Sequence, residues 1–284
     1  VHLHVHSEFS LLDGLTRMED LISTVKELGM DTVALTDHGA MHGTIKFYSQ
    51  AKAAGIKPIV GVETYMAKRS RFDKQPGLDK DQYHLVLLAK NEIGYKNLLK
   101  LVTSAHLEGF YYKPRIDMEV LATHAEGLIC LSGCLNGEIP SLIRDGQIAE
   151  AEKKAQQFLE IFGDDHFYLE MQMHEKINEQ QLVNNELINI SRKLGIPIVA
   201  TNDVHYLRPD DAEAHEVLLC VQTQHTMLER NRPLTLADSP DFYLRTEQEM
   251  EQLFLQYPEA IANTRKIADM CDLTITLGKW ILPP

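Results

Sequence analysis

Short apolar runs alternate with longer amphipathic ones along roughly the first 200 residues. The apolar runs are VHLHVH (1–6), DTVALTD (31–37), KPIVGVETYM (57–66), YHLVLLA (83–89), GLICLSG (127–133), HFYLEMQ (166–172) and IPIVATND (196–203). Most are nearly unbroken hydrophobes rich in Val, Ile, Leu and Tyr, which suits strands buried on both faces of a parallel sheet. Helical patterns lie between most of them: 18–29, 43–55, 91–106, 149–163 and 178–195, four of them closed by Gly29, Gly55, Gly163 and Gly195. The link SRFDKQPGLDKDQ (70–82) is polar and charged and reads as an exposed loop.

Seven βα-like units of this kind predict an α/β fold, a distorted seven-stranded (β/α)7 TIM-like barrel, with an open doubly wound sheet as the alternative. The alternation stops after residue 222. Residues 241–254 and 258–271 read as a short strand and two helices, so 223–284 is expected to be a C-terminal α/β extension of a 1–222 barrel. The finish ILPP reads as a cut within a longer protein.

Composition narrows the classes. No run of eighteen or more apolar residues is present, and VHLHVHSEFS lacks the basic flank and apolar stretch of a signal peptide, so a cytoplasmic protein with no membrane association is expected. The formal net charge of −13 argues against a stand-alone binder of duplex DNA. Bound cations or a neighbouring domain could still bring nucleic acid to such a chain. Cys130, Cys134, Cys220 and Cys271 form no CxxC pair and no disulfide framework.

The candidate chemistry sits at the ends of the strand-like runs. His4 and His6 are two apart, so a strand would project both from one face. Asp37 and His38 follow VALT with Gly39 allowing a turn, and Asp203 and His205 follow IVATN. Glu63 lies among Val60, Val62 and Tyr65, where a carboxylate is costly unless a cation meets it. His84 opens the fourth run, Cys134 follows the fifth, and Asp13 sits in the turn after the first. Each alone has an ordinary explanation: an edge strand, a turn or a rim. Together, six of the seven runs carry His, Asp, Glu or Cys at or near an end. Five imidazoles, three carboxylates and one thiol exceed the needs of one four-coordinate ion and suit two or three ions sharing a bridge.

These residues also resemble the signature of the PHP (polymerase and histidinol phosphatase) superfamily: LHVHS, TDHG, the Glu of GVE, the His of YHLVLLA, the Cys of SGC, and NDVH. SLLDG, AGIKPIVGVE, HLVLLAKNEIGYKNL, EGFYYKPRID and ATNDVHYL extend the likeness to the branch carried by DnaE-type α subunits of bacterial DNA polymerase III, over essentially the whole chain. The resemblance implies the PHP barrel with three divalent ions, zinc before manganese or iron. His4, His6, Glu63 and Asp203 would hold one. Glu63, His84 and Cys134 would hold a second, and Asp13, His38 and His205 a third. Asp13 and Cys134 stand where many other PHP proteins have His, which favours the polymerase branch.

The implied activity is a metal-dependent 3′→5′ exonuclease acting on a DNA primer end, with a polymerase domain following in the same full-length chain and other replisome subunits as partners. Asp203, His205 and Glu63 are the candidate catalytic residues. Lys113 and Arg115 of YYKPRID are candidates to meet a substrate phosphate, with His174 lining the site. Two other classes stay open: a histidinol-phosphatase-like phosphomonoesterase, and a metal-stabilised scaffold that supports a polymerase and binds a separate proofreading subunit. Of the other histidines, His2 is expected to hydrogen-bond a ligand, His42 to lie near the rim, and His106, His124, His166, His215 and His225 to be surface residues. Cys130, Cys220 and Cys271 are expected to be core thiols.

Overall fold

The computed structural model describes residues 1–174, 176–229 and 231–279. The ILPP finish lies outside them. Strands β1 (Thr32–Leu35), β2 (Lys57–Ala67), β3 (Gln82–Ala89), β4 (Arg115–Ile116), β5 (Leu128–Leu131), β6 (Phe167–Met171) and β7 (Ile198–Ala200) form one curled sheet in the order β1-β2-β3-β5-β6-β7, with β4 beside β2. The helices are α1 (Met18–Glu27), α2 (Thr44–Ala54), α3 (Glu92–Leu107), α4 (Met118–Thr123), α5 (Glu138–Arg144), α6 (Ile148–Phe162), α7 (Asn178–Leu194), α8 (Ala212–Thr223), α9 (Glu247–Leu253) and α10 (Pro258–Met270).

Local sequence explains the punctuation. Asn91 and Asp117 cap α3 and α4 by accepting from the amides of Gly94 and Val120, and Thr246 with Glu249 forms a capping box at α9. Gly55 and Gly195 end α2 and α7 in the left-handed conformation. On α1, Met18, Leu21, Ile22 and Val25 are the buried stripe that a helix of period 3.6 presents to a core.

Two features depart from seven identical βα units. Residues 1–6 are extended but form no regular strand. They pair backbone to backbone on both sides: His2 and Val5 carbonyls accept from Ala34 and Thr36 (both 2.9 Å), while His6 N donates to Val204 O (2.7 Å) and Val204 N to His4 O (3.1 Å). The segment thereby joins the β1 and β7 edges of the sheet. Second, β3 runs antiparallel to both β2 and β5. The link before it is the polar loop, not a crossover helix, and a chain that turns without a crossover returns antiparallel.

The inner face of the sheet changes character along its length. Leu3, Ala34, Ile59, Val86, Ile129, Tyr168 and Val199 pack as one inner cluster, closed below by Ile267, Ala268 and Cys271 at the end of α10. Two and four residues further along the same face stand Glu63 on β2, Glu170 on β6 and Asp203 beyond β7. The alternate residues Val60, Val62, Leu169 and Met171 join the larger cluster under the helices, with Met250, Phe254 and Ala260 of the extension. The extension therefore shares both cores. Among the described residues, no helix is long and apolar enough to cross a membrane.

Candidate metal centre

All nine residues singled out by the sequence converge at one end of the sheet. The parallel strands bring them there at their carboxyl ends. His84 stands at the start of its strand, and only the reversed direction of β3 puts it on the same side, opposite Tyr65 in register. Two glycines make the ligand-bearing turns: Gly39 (φ +58) follows His38, and Gly133 (φ +83) precedes Cys134, where a Cβ would sit 2.7 Å from the His84 carbonyl.

The floor is dry. His4 Nε2 lies 3.2 Å from Asp203 Oδ1 and 3.3 Å from Glu63 Oε1, and His6 Nε2 lies 3.2 Å from the same Asp203 oxygen and 3.5 Å from Glu63 Oε2. Ligand atoms on a tetrahedron with metal bonds of about 2.0–2.1 Å are about 3.3 Å apart, so these separations match a cation site. None of these atoms is aligned for a hydrogen bond: His4 Nε2, His6 Nε2, His38 Nδ1, both Glu63 oxygens and Asp203 Oδ1 are buried without partners. Atoms of that kind are costly to bury unless a cation satisfies them.

Nearer solvent, His38 Nδ1 meets Glu63 Oε2 at 2.6 Å and His38 Nε2 meets Asp13 Oδ2 at 2.9 Å. His84 Nδ1 is 2.9 Å from Glu63 Oε1 and 3.7 Å from Cys134 Sγ, and His205 Nε2 is 3.8 Å from Asp13 Oδ1. Three sets have mutually close ligand atoms: His4–His6–Asp203, His38–Glu63–His84 and His6–His38–His205. The first follows the expected grouping. In the second, His38 stands where Cys134 was expected, and in the third His6 stands where Asp13 was expected, although Asp13 still meets His38 at 2.9 Å and Cys134 lies 3.7 Å from His84.

Hydrogen bonds behind the ligands fix their tautomers. His4 Nδ1 donates to Glu170 Oε1 (2.7 Å), His6 Nδ1 to Ser10 Oγ (3.0 Å) and His205 Nδ1 to the Asp203 carbonyl (2.8 Å). Each leaves its Nε2 facing the centre. Glu170 is itself held by Thr201 Oγ1 (2.6 Å), Gln172 Nε2 (3.1 Å) and Gly133 N (3.1 Å). Asp37 accepts from Ser7 N and Ser10 Oγ, both at 2.7 Å, and so sets the turn that supports His6.

The charges are strongly coupled. Burial opposes the charged form of His4, yet Asp203, Glu170 and Glu63 outweigh it and raise His4 well above its ordinary range. His38 is likewise pushed up to about 10, mainly by Glu63 and Asp13 against burial. Burial, with His38 and His205 beside it, pushes His6 down to about 3. Glu63, Asp203 and Asp13 lie below the usual carboxylate range, burial being outweighed by the surrounding imidazoles. Burial foremost raises the Cys134 thiol, helped by Asp203 and Glu63.

The flanking expectations fare differently. Lys113 does line a cleft of ≈ 180 Å³ beside the centre, with Asp13, His38, His42, Tyr65 and His106. His42 is thus at the rim as expected, and His106, although exposed, is fixed there by donating to the Gly39 carbonyl (2.9 Å). Arg115 is a correction. It is fully buried, and its guanidinium donates to the carbonyls of Gly109, Asp79, Arg71 and Asp73, so it braces loops and cannot meet a substrate. His174 is buried against Phe242 (ring centroids 4.1 Å apart) and does not border the cleft. His2 donates to the Arg245 carbonyl instead of a ligand. His215 is buried, not superficial: it donates to the Asp13 carbonyl (2.8 Å) and packs beside His205. Glu170 was missed by the sequence reading, although a Glu inside an apolar strand is the signal that picked out Glu63.

The PHP domain model matches residues 2–174. The DNA polymerase III subunit alpha of Borreliella burgdorferi is 49% identical over all of this chain, and that of Thermus aquaticus 46% identical over 98% of it. The chain spans 24% and 23% of those proteins, about a quarter of their length. An amidohydrolase structure from Chromobacterium violaceum superposes with a TM-score of 0.42 at 14% identity, covering 72% of this chain and 87% of that one. The chain belongs to the PHP domain family and is similar, end to end, to a quarter-length stretch of DNA polymerase III alpha subunits.

Proposed function

We propose that this chain is a metal-dependent phosphoesterase that removes nucleotides from the 3′ end of a DNA strand, within a cytoplasmic replicative polymerase whose polymerase domain lies in the same full-length chain. The supporting observation is the set of buried, partnerless ligand atoms on His4, His6, His38, Glu63 and Asp203, spaced as cations require and open to one small cleft.

His4, His6, Asp13, His38, Glu63, His84, Cys134, Asp203 and His205 would hold three divalent ions, zinc before manganese or iron. Such ions supply a hydroxide at neutral pH and neutralise charge building on the phosphorus. Glu63 faces both the floor and the mouth with its two oxygens, so it would be the ligand that two ions share. Asp203 or His205 would relay the proton of the attacking water. With His205 Nδ1 held by the Asp203 carbonyl, only Nε2 could accept it, and only where that nitrogen is not holding an ion. Lys113, at the cleft wall, meets the substrate phosphate.

The test incubates the protein, loaded with zinc or manganese, with a 5′-labelled primer bearing a 3′ mismatch, beside p-nitrophenyl phosphate. Stepwise shortening with release of mononucleotides is the expected result. Hydrolysis of the monoester alone would move the assignment to a phosphomonoesterase. No hydrolysis by fully metallated protein, together with loss of folding in His6→Ala, would make the centre a structural scaffold.

A further inference from the structure

Two exposed aromatic residues stand beside the cleft on the loop that carries Lys113, and the catalytic account does not use them. Phe110 and Tyr112 are exposed at 52% and 61% of their surface, in the sequence GFYYKP between α3 and β4. This ledge adjoins the centre. The Phe110 ring lies 6.4 Å from His106, which lines the cleft, and the next residues, Lys113 and Pro114, form its wall. Two ammonium groups stand over rings here: Lys80 over Tyr112 at 5.6 Å, and Lys113 over the cleft residue Tyr65 at 5.3 Å.

The loop is built to hold this shape. Tyr111 and Lys113 bridge antiparallel across Tyr112, which takes the left-handed conformation (φ +61) unusual for a bulky residue. Such backbone strain persists only where the surroundings over-determine it. The buried Arg115 anchors the base of the loop, tying the Gly109 carbonyl to the Arg71, Asp73 and Asp79 carbonyls of the 68–81 loop. Large rings held rigidly in water gain nothing for folding.

We propose that Phe110 and Tyr112 form a stacking platform for the bases of a single-stranded nucleic acid whose terminal phosphate enters the cleft. The proposal rests on the phosphoesterase reading and deepens it by naming the substrate as an unpaired strand. Stacking suits this chain. With a net charge of −13 it draws little overall attraction from phosphates, whereas base–aromatic contacts need no net positive field and tolerate any sequence. Lys80 and Lys113 supply positive charge where the backbone would pass. A paired duplex hides its base faces and cannot use the ledge.

The test measures anisotropy of a labelled, nuclease-resistant phosphorothioate oligothymidylate on metal-loaded protein. Phe110→Ala and Tyr112→Ala should each weaken binding about tenfold. Phe110→Trp and Tyr112→Phe should restore it, and a duplex of the same length should be insensitive to all four. Melting curves confirm that the variants fold; a variant that does not is replaced by Tyr112→Leu, which keeps bulk and removes the ring. Unchanged affinity in the folded alanine or leucine variants overturns the platform, even if the primer is still degraded. Ring-dependent binding upholds it, even if no nucleotide is released and the exonuclease reading falls.

Discussion

His4 offers Nε2 to the centre only because its other nitrogen is held, and Glu170 is the group that holds it. Three further donors converge on that carboxylate, so it is fixed in place before any ligand arrives. Replacing it with Gln keeps the volume but removes the negative charge and sets an amide nitrogen, itself a donor, against the donors that converge there. Outer partners of this kind typically contribute 10–100-fold to metal affinity. Glu170→Gln should therefore bind zinc about 10–100-fold more weakly in a chelator competition while keeping its circular dichroism spectrum. Unaltered affinity would show that His4 needs no such support. The contrast with Glu63 shows what sequence can reveal at this scale. Both are lone carboxylates in apolar strands, Glu63 three residues from the end of its run and Glu170 two from the end of its own, so position in the strand does not separate them; Glu63 is marked by its place in GVE, one of the motifs that resemble the PHP signature. Arg115 erred the other way. Beside Lys113 in a polar loop it reads as a phosphate contact, and nothing in the local string shows that four backbone carbonyls of two loops surround it.

At the level of elements, six of the seven expected strands and the main helices are present, because long apolar runs and amphipathic periods are local properties. Strand direction is not local. A run buried on both faces, such as YHLVLLA, looks the same whichever way it points, and the antiparallel β3 emerges only from the pairing of Glu63 with Val86 and of Leu87 with Cys130. The same limit hid the brace formed by residues 241–245. There the backbone runs beside the NDVH segment: His205 N donates to the Phe242 carbonyl (2.8 Å), and Asn202 Nδ2 donates to the carbonyls of Asp241 and Tyr243 (both 2.8 Å). Arg245 returns a bond to Asn202 Oδ1 at 3.2 Å. The extension thus holds the backbone that carries Asp203 and His205, and Asp203 itself has φ +50. Asn202→Ala would leave two partly buried carbonyls and one guanidinium bond without their partner, a loss of about 1–3 kcal/mol. Its melting temperature and its zinc affinity should fall together. A drop in stability with metal affinity unchanged would mean that the brace supports the fold without positioning the ligands.

For the whole molecule, the balance of charges at the centre sets how stability follows pH. Four buried histidines resist protonation: burial lowers His2, His174 and His215 to about 4 and His6 to about 3, from an ordinary value of 6.5. Between pH 4 and 6.5 the unfolded chain therefore binds protons that the folded chain refuses, so acidification favours unfolding. Each such group contributes a slope of up to about 1.4 kcal/mol per pH unit. The depressed carboxylates Glu63, Asp203 and Asp13 act in the same direction, their stabilisation being lost as pH falls below their unfolded values. His4 and His38 act oppositely. Their folded values are raised, His38 to about 10, so their stabilisation is complete below pH 6.5 and fades as pH rises towards those values. The metal-free protein should accordingly be most stable near pH 6.5. Cation binding displaces the protons from His4 and His38, which removes the alkaline decline and makes affinity increase with pH. Melting temperatures recorded from pH 4 to pH 9, in chelator and in zinc, should diverge progressively above pH 6.5. Parallel curves across that range would mean that protons and cations do not compete for these imidazoles, and the centre would then not be a metal site.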